Sequence, residues 1–399
     1  MADKKTTLPV GWRWTKLMDV ANVVNGFGFP EYLQGKTDLP YPFIKVSDMN
    51  QDGAEIFVSN AKHTVDNQIL KTLGGRVYPA GTVIFPKVGG ALLTNKKRIL
   101  GKQASFDNNI MGVIPINVTT DWIYYWLLTI DLKTISNTQA LPSIKQSVVA
   151  NLKIPLPPLD EQQRIAARLN EQMATVARAR QAAEEQLRLA RELPATYFRE
   201  VFESKEAQKW QRQKLGKICE ITARQIDPKI PEYGALPHVN GENIESGTCQ
   251  LLYLNSASDE GMTSQKYLFD PGDVLYSKLR PYLRKVIVVD FKGVCSADMY
   301  PIKVNSKELD SEFLMWLLVS DEFTKYADGE SRRARMPKLN REQLFAWETL
   351  LPRISEQKLI AAYLTGKIGK TKQLAQTIAT QLSEINNLPA ALLRQVFSA

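Results

Sequence analysis

The chain contains one sequence pattern twice, at a constant offset of 195 positions. Residues 155–169 read PLPPLDEQQRIAARL and residues 350–364 read LLPRISEQKLIAAYL, so the first EQ pair aligns with the second. The same offset carries the LPA sequence that begins at Leu193 onto the one that begins at Leu388. A chain that repeats itself over such a distance is expected to build one architecture twice. This expectation constrains the fold more than any other feature of the sequence.

Each copy of the pattern continues as an apolar stripe whose members are three and four residues apart. This spacing places the stripe on one face of a helix, and over about four heptads it describes a coiled-coil seam. One stripe would be typical of an ordinary core-facing helix, but two copies in one chain favour an antiparallel pair of long helices. The predicted seam residues are Ile165, Leu169, Met173, Val176, Leu187, Ile360, Leu364, Ile368, Leu374, Ile378, Leu382 and Ile385.

Local signals predict where each long helix begins and ends. Asp160 and Ser355 occupy equivalent positions and are typical N-cap residues. Pro194 and Pro389 are expected to end or kink the two helices at the same point. A continuous helix over residues 160–193 would be roughly 50 Å long, at about 1.5 Å per residue.

The segments outside the helices also resemble each other, although less closely. Three pairs of segments predict, in turn, a short strand that ends on lysine, a buried helix and a second short strand: 79–87 with 270–278, 122–128 with 312–318, and 42–46 with 235–239. Short strands, turns and a few helices favour an α/β fold of the mixed α+β type, with pseudo-two-fold repetition. The predicted domains are 1–158 and 206–351, each followed by a long helical segment, 159–205 and 352–399.

This order of domains and helices resembles the specificity subunit of type I restriction–modification systems. The resemblance covers essentially the whole chain and rests on the two helix openings, PLPPLDEQQRIA and LLPRISEQKLIA. GWRWTKLMDVANVVNG, PFIKVSDMNQDG and PGDVLYSKLRPYLRK agree with it. The resemblance implies two target-recognition domains that each read one half of a split double-stranded DNA site. It also implies that the helices set the spacing between the half-sites.

The resemblance also implies partners. Two modification (methyltransferase) subunits would dock on the helices and methylate adenine at N6, and restriction subunits with translocase activity would join them. S-adenosylmethionine, ATP and Mg²⁺ are then expected on those subunits, and no cofactor is expected on this chain.

Charge alone does not predict DNA binding throughout the chain. The net charge of +9 favours a polyanionic partner only weakly. Residues 1–158 carry +6, but residues 210–351 carry −1. Local clusters are therefore the better guide, because lysine and arginine bind phosphates and arginine also reads guanine. The clusters are Lys96, Lys97 and Arg98, then Lys278, Arg280, Arg284 and Lys285, and finally Arg332, Arg333, Arg335 and Lys338.

Two single residues complete the predicted DNA contacts. Lys87 ends the strand equivalent to the one that Lys278 ends, so we expect the two lysines to share a phosphate-binding role. Gln139 lies in the uncharged counterpart of the second-domain arginine cluster and could read adenine through its amide.

Two other classes of function are open to such a chain, a self-contained DNA methyltransferase and a coiled-coil scaffold that lacks sequence-specific DNA binding. The single Pro-Pro pair, Pro157–Pro158, lacks the flanking residues of an amino-methyltransferase motif, and no P-loop is present. Gly26-Phe27-Gly28 is interpreted as a turn. We therefore predict a binding subunit without catalytic residues.

The cysteine and histidine content bears on metals and on location. Three cysteines without a CxxC pair, and only two histidines, predict no zinc site. Reduced thiols and the absence of a long apolar segment favour a cytoplasmic protein.

Overall fold

Along the chain, two series of elements with similar order come before and after a long helix. The computed structural model describes residues 8–51, 53–137, 140–222, 224–331 and 337–397. The chain divides into two compact units, residues 1–182 with 382–399 and residues 183–381. In the first series the strands are β1 (Arg13–Lys16), β2 (Ala21–Asn25), β3 (Tyr41–Ile44), β4 (Phe57–Val58), β5 (His63–Val65), β6 (Val83–Pro86), β7 (Arg98–Leu100), β8 (Ser105–Phe106), β9 (Ile110–Pro115) and β10 (Lys153–Leu156). Its helices are α1 (Asn67–Leu73), α2 (Gly89–Leu92), α3 (Thr120–Leu128), α4 (Gln146–Ala150) and the long α5 (Leu159–Phe202).

The second series begins after α5 and ends in another long helix. Its strands are β11 (Gln211–Lys214), β12 (Cys219–Ile221), β13 (Gln225–Ile226), β14 (Pro237–Val239), β15 (Asn255–Ser256), β16 (Lys266–Phe269), β17 (Val274–Ser277), β18 (Val286–Val288), β19 (Gly293–Cys295), β20 (Met299–Val304) and β21 (Glu348–Leu351). Its helices are α6 (Leu215–Ile218), α7 (Pro231–Gly234), α8 (Ser311–Val319), α9 (Asp321–Ser331), α10 (Arg341–Ala346) and α11 (Ile354–Phe397).

The sheets of the two series share a plan. In the first, β2-β9-β6-β7-β4 and β5-β3-β8 form sheets in those orders. In the second, the orders are β12-β20-β17-β18 and β13-β16-β19-β14-β15. The β3–β8 pair and the β14–β19 pair are both parallel. A two-stranded antiparallel ladder, β1–β10 or β11–β21, precedes each long helix. The predicted mixed α+β fold is confirmed.

Each core forms around one central strand and one apolar helix. β6 is buried along its whole length between β9 and β7, as expected for an uninterrupted apolar strand. α3 begins at Thr119, whose hydroxyl accepts from the Trp122 backbone N–H at 3.2 Å, and it buries Trp122 completely. In the second unit, β17 and α8 take these places, and Asp310 caps α8 in the same way.

The caps correct the register of the predicted repeat. Thr119 and Asp310 are equivalent, so Trp122 corresponds to Phe313 and not to Glu312. The predicted pair of short strands is also present, in β3 and β14. Their parallel partners align Ile44 with Val239, which shifts the predicted alignment by two residues. Short similar segments locate an element from sequence, but the hydrogen bonds fix its register.

The long helices differ from the predicted bounds. They begin at Leu159 and Ile354, so Asp160 and Ser355 lie in the first turn and are not N-caps. Pro194 and Pro389 lie inside the helices, which continue to Phe202 and Phe397; the prediction that they could end the helices is wrong. Proline removes one backbone hydrogen-bond donor from the helix. The apolar face of α5 nevertheless packs in a core before Pro194, through Ile165, and after it, through Phe198.

Each unit contains the beginning of one long helix and the end of the other. In the first unit, Ile165 of α5 belongs to the same core as Leu393 and Val396 of α11. In the second unit, Phe198 of α5 belongs to the same core as Leu364 of α11. In the part of the chain that the structure describes, neither these helices nor any other is long and apolar enough to cross a membrane.

The predicted seam residues differ in exposure. The buried ones are Ile165, Leu169, Leu364, Ile368 and Ile378. The half-buried ones are Met173, Val176, Leu187, Ile360, Leu382 and Ile385. The prediction for Leu374 is wrong, because this side chain is 47% exposed. Thr371 is buried in the same stretch, and its hydroxyl donates to the Lys367 carbonyl at 2.9 Å, so burial leaves no polar atom unpaired.

The glutamine of each EQ pair joins a long helix to its domain. Gln162 is 2% exposed; its Oε1 accepts from the Thr119 backbone N–H at 3.0 Å, and its Nε2 donates to the Pro157 carbonyl at 3.0 Å. Gln357 is fully buried and makes the same pair of bonds with Asp310 and Pro352, at 2.8 and 3.0 Å. The repeated sequence signature is therefore a repeated joint between α5 and α3 and between α11 and α8.

Candidate nucleic-acid interface

The first predicted cluster, Lys96, Lys97 and Arg98, follows α2, and its three residues differ in burial. Lys97 is 1% exposed, and its ammonium donates to Asn95 Oδ1 and to the Ile130 carbonyl, both at 2.7 Å. Burial lowers the pKa of Lys97 to about 8, against the opposing effect of Asp131. Lys97 stays a predicted DNA contact, and its two hydrogen bonds attach the turn before β7 to the segment after α3.

The neighbours of Lys97 remain half-buried. The Lys96 ammonium donates to the Asn50 side chain. Nη1 of Arg98 donates to the Lys97 carbonyl at 2.8 Å, and its Nε is buried without a partner among the described residues. Burial lowers the pKa of Arg98, while Tyr124 and Glu55 oppose that change. Lys96 and Arg98 stay predicted DNA contacts.

The two strand-end lysines are equivalent, but both are engaged within their domains. Lys87, at the end of β6, donates to Asn25 Oδ1 at 2.7 Å. Lys278, at the end of β17, is 8% exposed, donates to the Ala297 carbonyl and lies 5.0 Å from the centre of the Tyr300 ring. Burial lowers the pKa of both lysines. The phosphate role stays a prediction for both lysines, and Lys278 is the less accessible of the two because its side chain is buried and its ammonium donates to the Ala297 carbonyl.

Lys338, the described member of the last cluster, lies beside the cluster that begins at Lys278. Leu279 and Lys338 form a β-bridge, and the Arg280 backbone N–H donates to the Pro337 carbonyl at 2.9 Å. The Lys338 ammonium is 3.7 Å from Asp298 Oδ1, and this lysine is about half exposed. The remaining predictions of this group, together with one from the first domain, lie outside the described residues: Arg332, Arg333, Arg335 and Gln139.

The segment between β17 and β18 holds two arginines in a backbone conformation that side chains rarely adopt. Arg280 and Arg284 both have φ of +49°, and such conformations persist only where surrounding contacts hold them. Arg280 is exposed. Arg284 is half-buried and pairs through Nη2 with Asp321 Oδ1 at 2.5 Å. Arg280 is thus the more available of the two for a phosphate.

A cleft of about 650 Å³ lies beside this segment in the second domain. Two of the predicted residues, Arg280 and Lys285, line it. The sequence did not identify the other polar groups of its wall, among them His238, Asn240, Lys266, Ser277, Ser296 and Asp298. They come from strands and turns spread over about sixty positions, and no local pattern joins them.

The deepest of these groups is His238. Its side chain is 2% exposed, and Nδ1 lies 2.6 Å from Glu260 Oε2. Nε2 is buried and has no partner among the described residues. Burial lowers the pKa of His238, although Glu260 acts in the opposite direction. Lys266, also buried, donates to the carbonyl and hydroxyl of Ser264 at 2.9 and 2.7 Å. The cleft therefore combines spare cationic donors with one unpaired buried nitrogen.

Known proteins match both halves of the chain. The family model described as "Type I restriction modification DNA specificity domain" matches residues 9–185 and again residues 207–384. Over 336 residues the chain is 27% identical to the Type I restriction enzyme EcoDI specificity subunit of Escherichia coli, which covers 75% of this chain and 74% of that protein.

Two solved structures share the fold. One, reported under "Structural basis underlying complex assembly and conformational transition of the type I R-M system", has a TM-score of 0.70 at 22% identity and covers 98% of each chain. The crystal structure of the HsdS subunit from Thermoanaerobacter tengcongensis has a TM-score of 0.64 at 21% identity and covers 100% of this chain and 99% of that one.

Proposed function

The chain belongs to the type I restriction–modification DNA specificity family, and on this premise we propose that each of its two mixed domains reads one half of a split DNA site. The observation that carries the proposal is the repeated joint, in which Gln162 and Gln357 fix equivalent helices in the same way. Two reading domains on one chain can recognise unlike half-sites, whereas a symmetric dimer reads the same sequence twice.

The chain is proposed to bind without catalysing. The adenine N6 methylation is assigned to two modification subunits that dock on α5 and α11, and restriction subunits with translocase activity join that complex. S-adenosylmethionine, ATP and Mg²⁺ belong to those partners. The complex is placed in the cytoplasm, where DNA is accessible. These assignments follow from family membership and from the lack of methyltransferase and P-loop motifs in the sequence.

The experiment is to co-express the chain with its modification subunit and map methylated adenines across a genome. A split motif with a fixed gap is expected, and a short continuous motif would contradict the proposal. Exchange of residues 1–158 with those of a relative should change one half of the motif only. Methyl transfer by the chain alone, incubated with DNA and S-adenosylmethionine, would contradict the non-catalytic assignment.

A further inference from the structure

We propose that the cleft of the second domain reads one base of its half-site, with Nε2 of His238 accepting a hydrogen bond from the exocyclic amine of an adenine or a cytosine. This inference rests on the proposed function, and it assigns a reading role to one side chain. His238 lies on β14 and lines the cleft together with Arg280 and Lys285.

The contact with Glu260 decides what Nε2 can do. A carboxylate only accepts, so Nδ1, 2.6 Å away, carries the ring proton. Nε2 of the neutral ring is then an acceptor. Burial lowers the pKa of His238, which favours this neutral form. Glu260 and Lys266 are the charged groups that act on the ring.

An acceptor suits only certain base edges. In the major groove, adenine N6 and cytosine N4 are the amine donors, while guanine and thymine present acceptors at the corresponding positions. A buried acceptor without a partner costs free energy that a ligand donor would recover. His238 would therefore discriminate in favour of adenine or cytosine and against guanine or thymine.

The rest of the cleft supplies contacts for the adjoining backbone. The Lys285 ammonium donates to the Gly241 carbonyl, so of its three donors two remain with respect to the described residues. Arg280 is exposed at the same cleft. These two cations can donate hydrogen bonds to a phosphate, whose oxygens accept them. The free nitrogen of the neutral His238 ring can only accept, so it does not suit a phosphate. Base and phosphate roles thus fall on different residues.

The fold does not require a histidine at this position. The parallel β3–β8 and β14–β19 pairs make Phe43 the equivalent of His238 in the first domain. Phe43 is fully buried and stacks on Phe29, with ring centres 4.0 Å apart. One domain thus fills the position with an apolar ring, and the other keeps a polar ring and a carboxylate there. This difference fits two domains that read unlike half-sites.

The first test uses full-length chain co-expressed with the modification subunit. His238→Phe installs the residue of the first domain and His238→Asn keeps a polar group, while Lys285→Ala is the comparison for phosphate binding. Methylated adenines are mapped for each complex. We expect His238→Phe to lose discrimination by roughly 5- to 150-fold at one adenine or cytosine of one half-site, with the other half unchanged. Lys285→Ala should weaken all sites alike.

A second test begins with the wild type, so its first arm needs no variant. The wild-type complex is titrated with duplexes in which each adenine or cytosine of the half-site is replaced, one at a time, by its analogue without the exocyclic amine. One replacement should weaken binding by the wild type and have no further effect on binding by His238→Phe, which has no acceptor at this position. Thermal melting of each complex is recorded alongside.

Two results would overturn the inference. One is an unchanged motif for both His238 variants; the other is a set of analogues that weaken wild type and variant equally at every position. Uniform weakening at all sites would also exclude base reading and would assign His238 to folding or to a phosphate. If the wild type itself yields no split motif, the proposed function fails. A normal split motif with insensitive His238 variants overturns only this inference.

Discussion

Gln162 accepts the backbone N–H of Thr119 through Oε1, at 3.0 Å, and thereby connects the first turn of α5 to the capping residue of α3. The glutamine is 43 positions away in sequence, and both hydrogen bonds of its amide go to main-chain atoms. The same bond joins Gln357 to Asp310. Removal of a buried amide that bonds in this way costs free energy of folding, because its partner groups stay buried away from water without a hydrogen bond.

Gln162→Ala should therefore destabilise the first unit by about 1–3 kcal/mol. The free energy of unfolding, measured by urea titration, tests this. Gln163→Ala is the matched control, since Gln163 is exposed on the same turn and should change stability little. Equal stability of the two variants would contradict a structural role for the joint.

Gly26→Ala should destabilise the first domain, because a Cβ there would lie 1.9 Å from the Asp107 carbonyl oxygen. Backbone must move to relieve such a contact, at a cost of roughly 1–3 kcal/mol or more. Gly28→Ala provides the control, with nothing within 4 Å of the added Cβ. Melting temperatures of the two variants should separate clearly. This close approach of two chain segments accounts for the first glycine of the GFG sequence.

Stability should rise with pH in the alkaline range because of Lys97. Its folded pKa of about 8 lies below the ordinary value of 10.5, so the unfolded chain binds more protons between these values. The burial penalty is complete below pH 8 and is relieved as pH approaches 10.5, by roughly 2–3 kcal/mol. Urea titrations at pH 7.5 and 10 test this. The Lys97→Met variant should lack that component of the pH dependence, and an identical profile for both proteins would refute it.

Arg280→Ala should weaken DNA binding several-fold without altering the motif. Loss of one phosphate contact lowers the slope of log K against log salt by about one. Gel shifts of the complex at several salt concentrations measure both quantities. Arg212→Ala is the control, because Arg212 is exposed on β11 and does not line the cleft. An unchanged salt slope in Arg280→Ala would remove Arg280 from the interface.

The Arg333→Ala, Arg335→Ala double variant should weaken site-specific binding without unfolding the chain. The prediction comes from the sequence cluster, and the described residue Lys338 places the end of that cluster beside Leu279. Gel shifts with the modification subunit present, together with circular dichroism for folding, decide it. Wild-type affinity in the double variant would withdraw both arginines as DNA contacts.

The sequence predicted elements whose signals are local. The apolar run of β6, the apolar helices α3 and α8 and the two long helices were all identified, because apolar runs and periodicity are signals carried by a few neighbouring residues. Their ends were less accurate: Pro194 was expected to end or kink α5, and tertiary contacts on both sides of it sustain the helix.

The candidate site was predicted less well, because it depends on long-range contacts. Lys97 and Lys278 belong to basic clusters in the sequence, but the fold buries both side chains, and their ammonium groups donate to the carbonyls of Ile130 and Ala297. The His238–Glu260 pair spans 22 positions and carries no motif. A cluster of charges in a sequence shows that basic residues are present, and only the fold decides which of them remain available to a ligand.

The joint at Gln162 and Gln357 has a consequence for how such proteins diversify. Each glutamine forms hydrogen bonds with backbone N–H and carbonyl groups. The residues whose N–H groups are bonded, Thr119 by Gln162 and Asp310 by Gln357, have different side chains. The attachment therefore imposes little on the side chains of the domain it holds. A reading domain can change its surface, or be exchanged whole by recombination, and still seat on the same helix, so new DNA specificities can arise without rebuilding the machinery that acts on them.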